Sequence, residues 1–143
     1  MPDAAPYRNF NFSVEIDGLA EIHFSEAVIP DTRIEVVEYR EGADKTSTSL
    51  KLPGRAVVGS VVLRRGIDHN LALWNWFKAV RDGNLDRRNV VITLLDAERL
   101  AVRRWMIARA WPAKYEFGPL QARGNEVVIE TLELACESVE VEE

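Results

Sequence analysis

The chain holds two histidines, His23 and His69, which stand 46 residues apart with no Cys, Asp or Glu grouped around either at ligand spacing. Zinc needs three or four such donors converging on one point, so no metal site is expected. His69 falls where a helix should begin, and a solvated polar role suffices for it. The single cysteine, Cys136, alternates into an apolar position of the last expected strand and reads as a buried, inert thiol. Glu35 and Glu38 are near enough in sequence to suggest a carboxylate pair, but strand parity sends them to opposite faces. No glycine-rich loop of the phosphate-cradling type is present. These residues point to no catalytic chemistry and no cofactor.

The densest chemistry is charge. Arg81, Arg87, Arg88, Arg99, Arg103, Arg104 and Arg109 crowd the middle of the chain, while Glu126 to Glu143 contain seven Glu and no Lys or Arg. The net charge of −5 belongs to that acidic segment, since the rest of the chain has 18 basic and 16 acidic residues. A general nucleic-acid binder would show a strong basic excess. Strand alternation over "LAVRRWMIARAW" puts Arg103 and Arg109 on one side and Arg104 on the other. The arginines then serve either as solvated surface with local ion pairs, or as partners for the Glu-rich segment 126–143 of a neighbouring copy, because sign asymmetry suits head-to-tail assembly.

What must position these groups is a chain of 143 residues, 47% hydrophobic and 29% charged. That suits one domain, 1–143, with a core of its own. One cysteine permits no internal disulfide, which suits a reducing compartment during folding. No apolar run approaches the ~20 residues of a membrane span, and "MPDAAPYRNF" lacks the basic-then-apolar order of a secretory leader, so no membrane insertion is expected. "NFSVEID" alternates Phe10, Phe12, Val14 and Ile16 against polar neighbours, the pattern of a half-buried strand. "AEIHFSEAVI", "RIEVVEYR", "AVVGSVVLRR", "RNVVITLLD", "LAVRRWMIARAW" and "NEVVIETLELACESVEV" continue in strands. The period changes once. Leu73, Trp76, Phe77 and Val80 fall at helical spacing, with Asp68 as expected N-cap and Gly83 as the stop, which predicts one helix over about 68–82.

Between "RIEVVEYR" and "AVVGSVVLRRG" lies a polar arm, about 41–54, too long for a hairpin turn and without an apolar face of its own. Pro53-Gly54 fits the centre of a type II turn closing it. The expected fold is mainly β: an antiparallel barrel or sandwich with one helix and this long protruding loop.

The ordered set "NFSVEIDG", "FSEAVI", "EVVEYREG", "LPGR", "VVLRRGI", "LWNWF", "RRNVVITLLD" and "RWMIARAWPAKYEFGPLQARGNEVVIETLELACE" resembles the inner-tube proteins of contractile tails, both of phages and of phage-derived injection particles. The match runs from about Asn9 to Glu137; "AVIP" at Ala27 to Pro30 departs from a glycine turn carried by many relatives. The resemblance implies strands over 9–17, 22–28, 34–40 and 57–65. It implies homohexameric rings stacked into a hollow tube inside a sheath protein, with baseplate, tube-initiator and terminator proteins as further partners. It implies protein or phage DNA as cargo, assembly in the cytoplasm, and a final place in a virion or injection particle. It implies no catalysis. Lumen candidates on polar strand faces include Thr93, Arg103 and Glu130. The arm would touch neighbouring copies through Arg40, Glu41, Asp44, Lys45, Thr46, Ser47, Thr48 and Ser49, anchored by Leu50 and Leu52. Two alternatives stand beside the tube subunit: a tube-initiator paralogue that forms a single ring, and a small ligand-binding β-barrel.

Overall fold

Strand alternation and a few backbone bends build the body. The structure is a computed structural model, which describes residues 11–40, 42, 49–124 and 127–142. In chain order the strands are β1 (Phe12–Ile16), β2 (Glu26–Val28), β3 (Thr32–Tyr39), β4 (Leu50–Val58), β5 (Val61–Gly66), β6 (Arg88–Leu95), β7 (Ala101–Phe117), β8 (Ile129–Ala135) and β9 (Ser138–Glu142); one helix, α1 (Ala72–Arg81), lies between β5 and β6. All pairing among the described residues is antiparallel. One sheet runs β1-β6-β7-β8-β5-β2, with β9 also on β7; β3 and β4 form a separate two-stranded ribbon.

β7 holds the body together because it serves two sets of partners. Its first half pairs with β6 and β9, its second half with β8. The change comes at a bulge, where Arg109 takes φ 54° and its N–H donates to Asn89 Oδ1 at 3.0 Å. An extra residue there bends the strand and breaks its parity. The alternation that placed Arg103 and Arg109 on one side therefore does not carry through the strand.

The core lies between the bent sheet and α1: Val14, Ile16, Ile22, Val61, Leu63, Leu73, Trp76, Val90, Ile92, Ile107, Ala110, Leu132 and Leu134 are buried. The β5–β8 ladder shows how the pattern works. Val61 faces Leu134, Leu63 faces Leu132 and Arg65 faces Glu130, all on the buried side. Trp76 presses its ring into the core while its Nε1 donates to the Asp86 carbonyl at 2.8 Å, and Arg88 lies over the ring.

Several boundaries correct the sequence expectations. The helix begins at Ala72 and not near 68, because Asp68 and Asn70 form successive side-chain turns ahead of it. Asp68 Oδ1 accepts the Asn70 N–H at 2.8 Å, and Asn70 Oδ1 accepts the Ala72 N–H at 2.9 Å. Asp68 is thus not the N-cap; Leu71 holds that position without a side-chain cap. At the other end Gly83, at φ 98°, receives the chain after Asp82. The Gly83 and Asn84 N–H groups return to the carbonyls of Val80 and Ala79, the Schellman pattern that a glycine permits.

The strand expected over 57–65 is two strands, parted at Gly59-Ser60. There the Gly59 N–H donates to the Asp31 carbonyl at 2.8 Å, and a β-carbon on Gly59 would lie 2.0 Å from Asp31 Oδ1. The strand expected over 22–28 shortens to three residues, although Ile22 is still buried. Cys136 sits in the turn between β8 and β9, half-buried, with its thiol donating to the Gly59 carbonyl at 3.6 Å; burial pushes its pKa up. Among the described residues no helix is long and apolar enough to cross a membrane.

Candidate assembly surfaces

The ribbon corrects the expected arm. Leu50, Leu52, Pro53 and Gly54 belong to β4 and pair with β3: Leu50 with Tyr39, Leu52 with Val37, Pro53 with Val36. Pro53-Gly54 is therefore not a turn. A proline is tolerated there because each strand of a two-stranded ribbon pairs on one side only, so a missing N–H can face outward. The opposing Ile34/Val36 register shift and the close approach of Gly54 to Val37 mark a bulge in the same place.

Among the described residues no other strand joins this ribbon, and apart from the half-buried Val57 and Val58 at its base its side chains stand in solvent. Val37 and Leu52 are 49% and 47% exposed, Tyr39 and Leu50 share their face and are also exposed, and Ile34 and Val36 add further apolar surface. Contiguous exposed apolar surface of this kind marks a contact site. Arg40 lies at the end of β3 and is exposed; Ser49 is half-buried just before β4. Glu41, Asp44, Lys45, Thr46, Ser47 and Thr48 lie outside the described residues.

Sequence reasoning missed Ile34, Val36, Val37 and Tyr39 as contact candidates. The signal was present in "IEVVEY", where adjacent valines interrupt the polar–apolar alternation of a one-sided strand.

On the helix, Leu73 and Trp76 are buried and Val80 packs partly against the core. Phe77 is half-buried and joins a chain of aromatic contacts with Trp74, Tyr115 and Phe117, while Arg81 lies over Trp74.

Two of the three lumen candidates are interior residues of the subunit. Thr93 is buried, and Glu130 belongs to a buried network; Arg103 is exposed. Arg65 Nε donates to Glu130 Oε1 at 2.7 Å, its Nη1 to Asp68 at 3.1 Å and its Nη2 to the Asn70 carbonyl at 2.8 Å, and the Tyr115 hydroxyl donates to the other Glu130 oxygen. Every strong polar group here has a partner, which is the condition for burying charge. Burial, together with the hydrogen bond to Glu130, pushes the Tyr115 pKa up. The Asp68 carboxyl is held below its usual range by the Asn70 N–H and by Arg65.

The acidic segment finds partners in its own chain. Glu130 meets Arg65, Glu137 meets Arg109 at 2.9 Å, and Glu142 approaches Arg104 at 3.8 Å. Strands β8 and β9 are acidic where β5 and β7 are basic, so part of the asymmetry along the sequence is internal pairing. His23 and His69 are exposed and far apart in sequence, and among the described residues no group of three His, Cys, Asp or Glu is placed to hold a metal ion.

A chain in the cryo-EM structure of the anti-feeding prophage (AFP) baseplate is 29% identical, with TM-score 0.82, covering 99% of this chain and 97% of that one. A chain in an extracellular contractile injection system, the PVC sheath-tube complex in the extended state, superposes with TM-score 0.86 at 19% identity, covering 97% of this chain and 93% of that one. A chain in the AFP tube terminating cap gives TM-score 0.87 at 20% identity, covering 99% and 94%. The latter two likenesses carry the fold. A search of curated proteins gave no match. Residues 8–140 match the family described as T4-like virus tail tube protein gp19, nearly the whole chain, and the chain belongs to that tail tube family.

Proposed function

We propose that this chain is the structural subunit of the inner tube of a contractile tail or contractile injection particle. It forms hexameric rings that stack into a hollow tube within a sheath, with baseplate and terminator proteins at the ends and cargo in the lumen. The observation that carries this reading is the β3–β4 hairpin. It bears apolar side chains on a ribbon that joins no other described strand of the subunit. A two-stranded ribbon alone is marginal in water, so a neighbouring copy that covers it supplies what the domain does not. Many weak contacts, repeated once per subunit, then act together as one strong one.

Membership in a tail tube family and the likeness to a baseplate chain at 29% identity support the same reading. They also keep the single-ring initiator as a second reading, since that chain comes from a baseplate. The subunit is made and assembled in the cytoplasm and ends in a virion or injection particle. Its role is mechanical, without turnover.

Negative-stain microscopy and sedimentation of the purified chain test this. The tube reading expects sixfold rings that grow into tubes, and rings that never stack favour the initiator. A monomer at every concentration tried contradicts both. Replacing Asp44 to Ser49 with a short Gly-Ser linker should leave the monomer folded and weaken or abolish assembly.

A further inference from the structure

The hairpin joins the body through two short legs. The β2–β5 ladder ends with Val28 opposite Val62, and the β3–β4 ladder begins with Thr32 opposite Val58. Between them Ile29, Pro30 and Asp31 form one leg, and Gly59 and Ser60 lead into Val61 on the other. Legs this short would act as a hinge if nothing held them. Here the joint is filled. Ile29 packs against the core, and Pro30 is buried with its φ fixed by its ring. The Gly59 N–H donates to the Asp31 carbonyl at 2.8 Å, which ties the legs to each other. The Gly59 carbonyl accepts the Cys136 thiol at 3.6 Å, which ties the joint to the turn between β8 and β9.

Backbone conformation does not call for a glycine at 59, since the glycines with positive φ are Gly18 and Gly83. Asp31 does. A β-carbon on Gly59 would overlap Asp31 Oδ1 and crowd Asp31 Cγ at 3.2 Å, while the next described atom, the Asp31 nitrogen, lies at 3.5 Å, an ordinary contact. The ribbon is thus held at its root, where Val57 and Val58 are half-buried, and exposed along the rest of its length.

We infer that Asp31 and Gly59 are positioning residues for assembly: their contact fixes the angle at which the hairpin leaves the body before a second copy arrives. The inference rests on the assembly reading above and says how the hairpin is presented. A ribbon that swung freely would lose that freedom in every contact it made, and the ordering would weaken each contact. A ribbon fixed in advance avoids most of that loss, and the gain repeats once per subunit.

Gly59→Ala forces the two legs apart through Asp31. Melting should shift by only a few degrees, while the protein concentration at which rings and tubes first appear in sedimentation should rise about tenfold or more. Asp31→Ala removes the overlapping carboxylate and keeps the carbonyl, so Gly59→Ala combined with Asp31→Ala should assemble near the wild-type concentration. Assembly of Gly59→Ala alone at that concentration would overturn the inference. So would a double variant that stays impaired, or a Gly59→Ala subunit that unfolds outright, since the residue would then serve the fold.

Distances within the free subunit give an independent readout. Spin labels at Leu52→Cys on the hairpin and Lys78→Cys on the exposed side of α1 report the hairpin's angle in dilute, unassembled protein. The background is Cys136→Ser, whose hydroxyl can still donate to the Gly59 carbonyl. The expected result is one narrow distance distribution, which Gly59→Ala broadens. A broad distribution without Gly59→Ala would show a hairpin that swings free and would overturn the inference even if tubes form. If the unmodified chain forms no particle, the assembly reading fails instead, and the same distances still decide whether the root is fixed.

Discussion

Two ladders in this molecule use nearly the same chemistry and come to opposite ends. In β5–β8, Val61 faces Leu134, Leu63 faces Leu132, and Arg65 meets Glu130 at 2.7 Å, all buried. In β3–β4, Val37 faces Leu52, Tyr39 faces Leu50, and Arg55 approaches Glu35 at 3.5 Å, all exposed. Cross-strand pairing is common to both. The difference is what lies over the ladder: the first has the bent β7 and the helix, and the second has no layer from the described residues of its own chain. Strand-forming residues specify a ribbon, but a core needs a second layer, and the hairpin's second layer is assigned here to another copy.

The largest effects should fall where the body is double-layered. Trp76→Ala removes a ring that is buried, hydrogen-bonded and stacked under Arg88, and should cost roughly 3–5 kcal/mol. That is a large share of a typical ~5–15 kcal/mol. Melting within a degree or two of wild type would place the helix on the wrong face.

The two ion pairs sharpen the comparison further. Glu130→Ala strands the buried Arg65 and should cost about 3–5 kcal/mol in a denaturant titration. Glu35→Ala, which removes the exposed pair, should cost less than ~1 kcal/mol. Equal losses from the two would erase the distinction between body and hairpin.

A smaller effect appears at high pH. The folded-state pKa of Tyr115 lies above its ordinary value of 10.0, through burial and its bond to Glu130. A raised pKa means that the folded state holds the proton more tightly than the unfolded chain. The associated stability is therefore complete below pH 10 and is lost as pH rises beyond it. Tyr115→Phe should lower stability at neutral pH and flatten that alkaline decline. A decline just as steep in Tyr115→Phe would assign it to other groups, Cys136 among them.

Much of the body was legible because each signal was local. The alternation of Val14 and Ile16 marked their strand and its buried face, and the spacing of Leu73 and Trp76 marked the helix and its inner side. Gly83 marked its end, since few residues accept φ 98°. What failed depended on contacts distant in sequence. Asp68 looked like a cap, but Arg65 and Asn70 engage its carboxylate before the helix begins. Pro53-Gly54 looked like a turn because the ribbon around it had no buried stripe to declare it a strand. Glu130 read as an outward polar residue until Arg65, 65 positions away, came beside it. The paired valines at 36 and 37 were the one local hint that the arm is an apolar ribbon.

The central claim is that the hairpin belongs to the assembly and not to the fold of its own subunit. Its most direct test is Val37→Asp combined with Leu52→Asp, with thermal melting and sedimentation measured on the same preparation. Both side chains are about half exposed, and the account predicts a folded monomer whose stability shifts by only ~0.5–1 kcal/mol, with rings and tubes absent. Normal tubes from this variant, or a subunit that unfolds outright, would contradict the account.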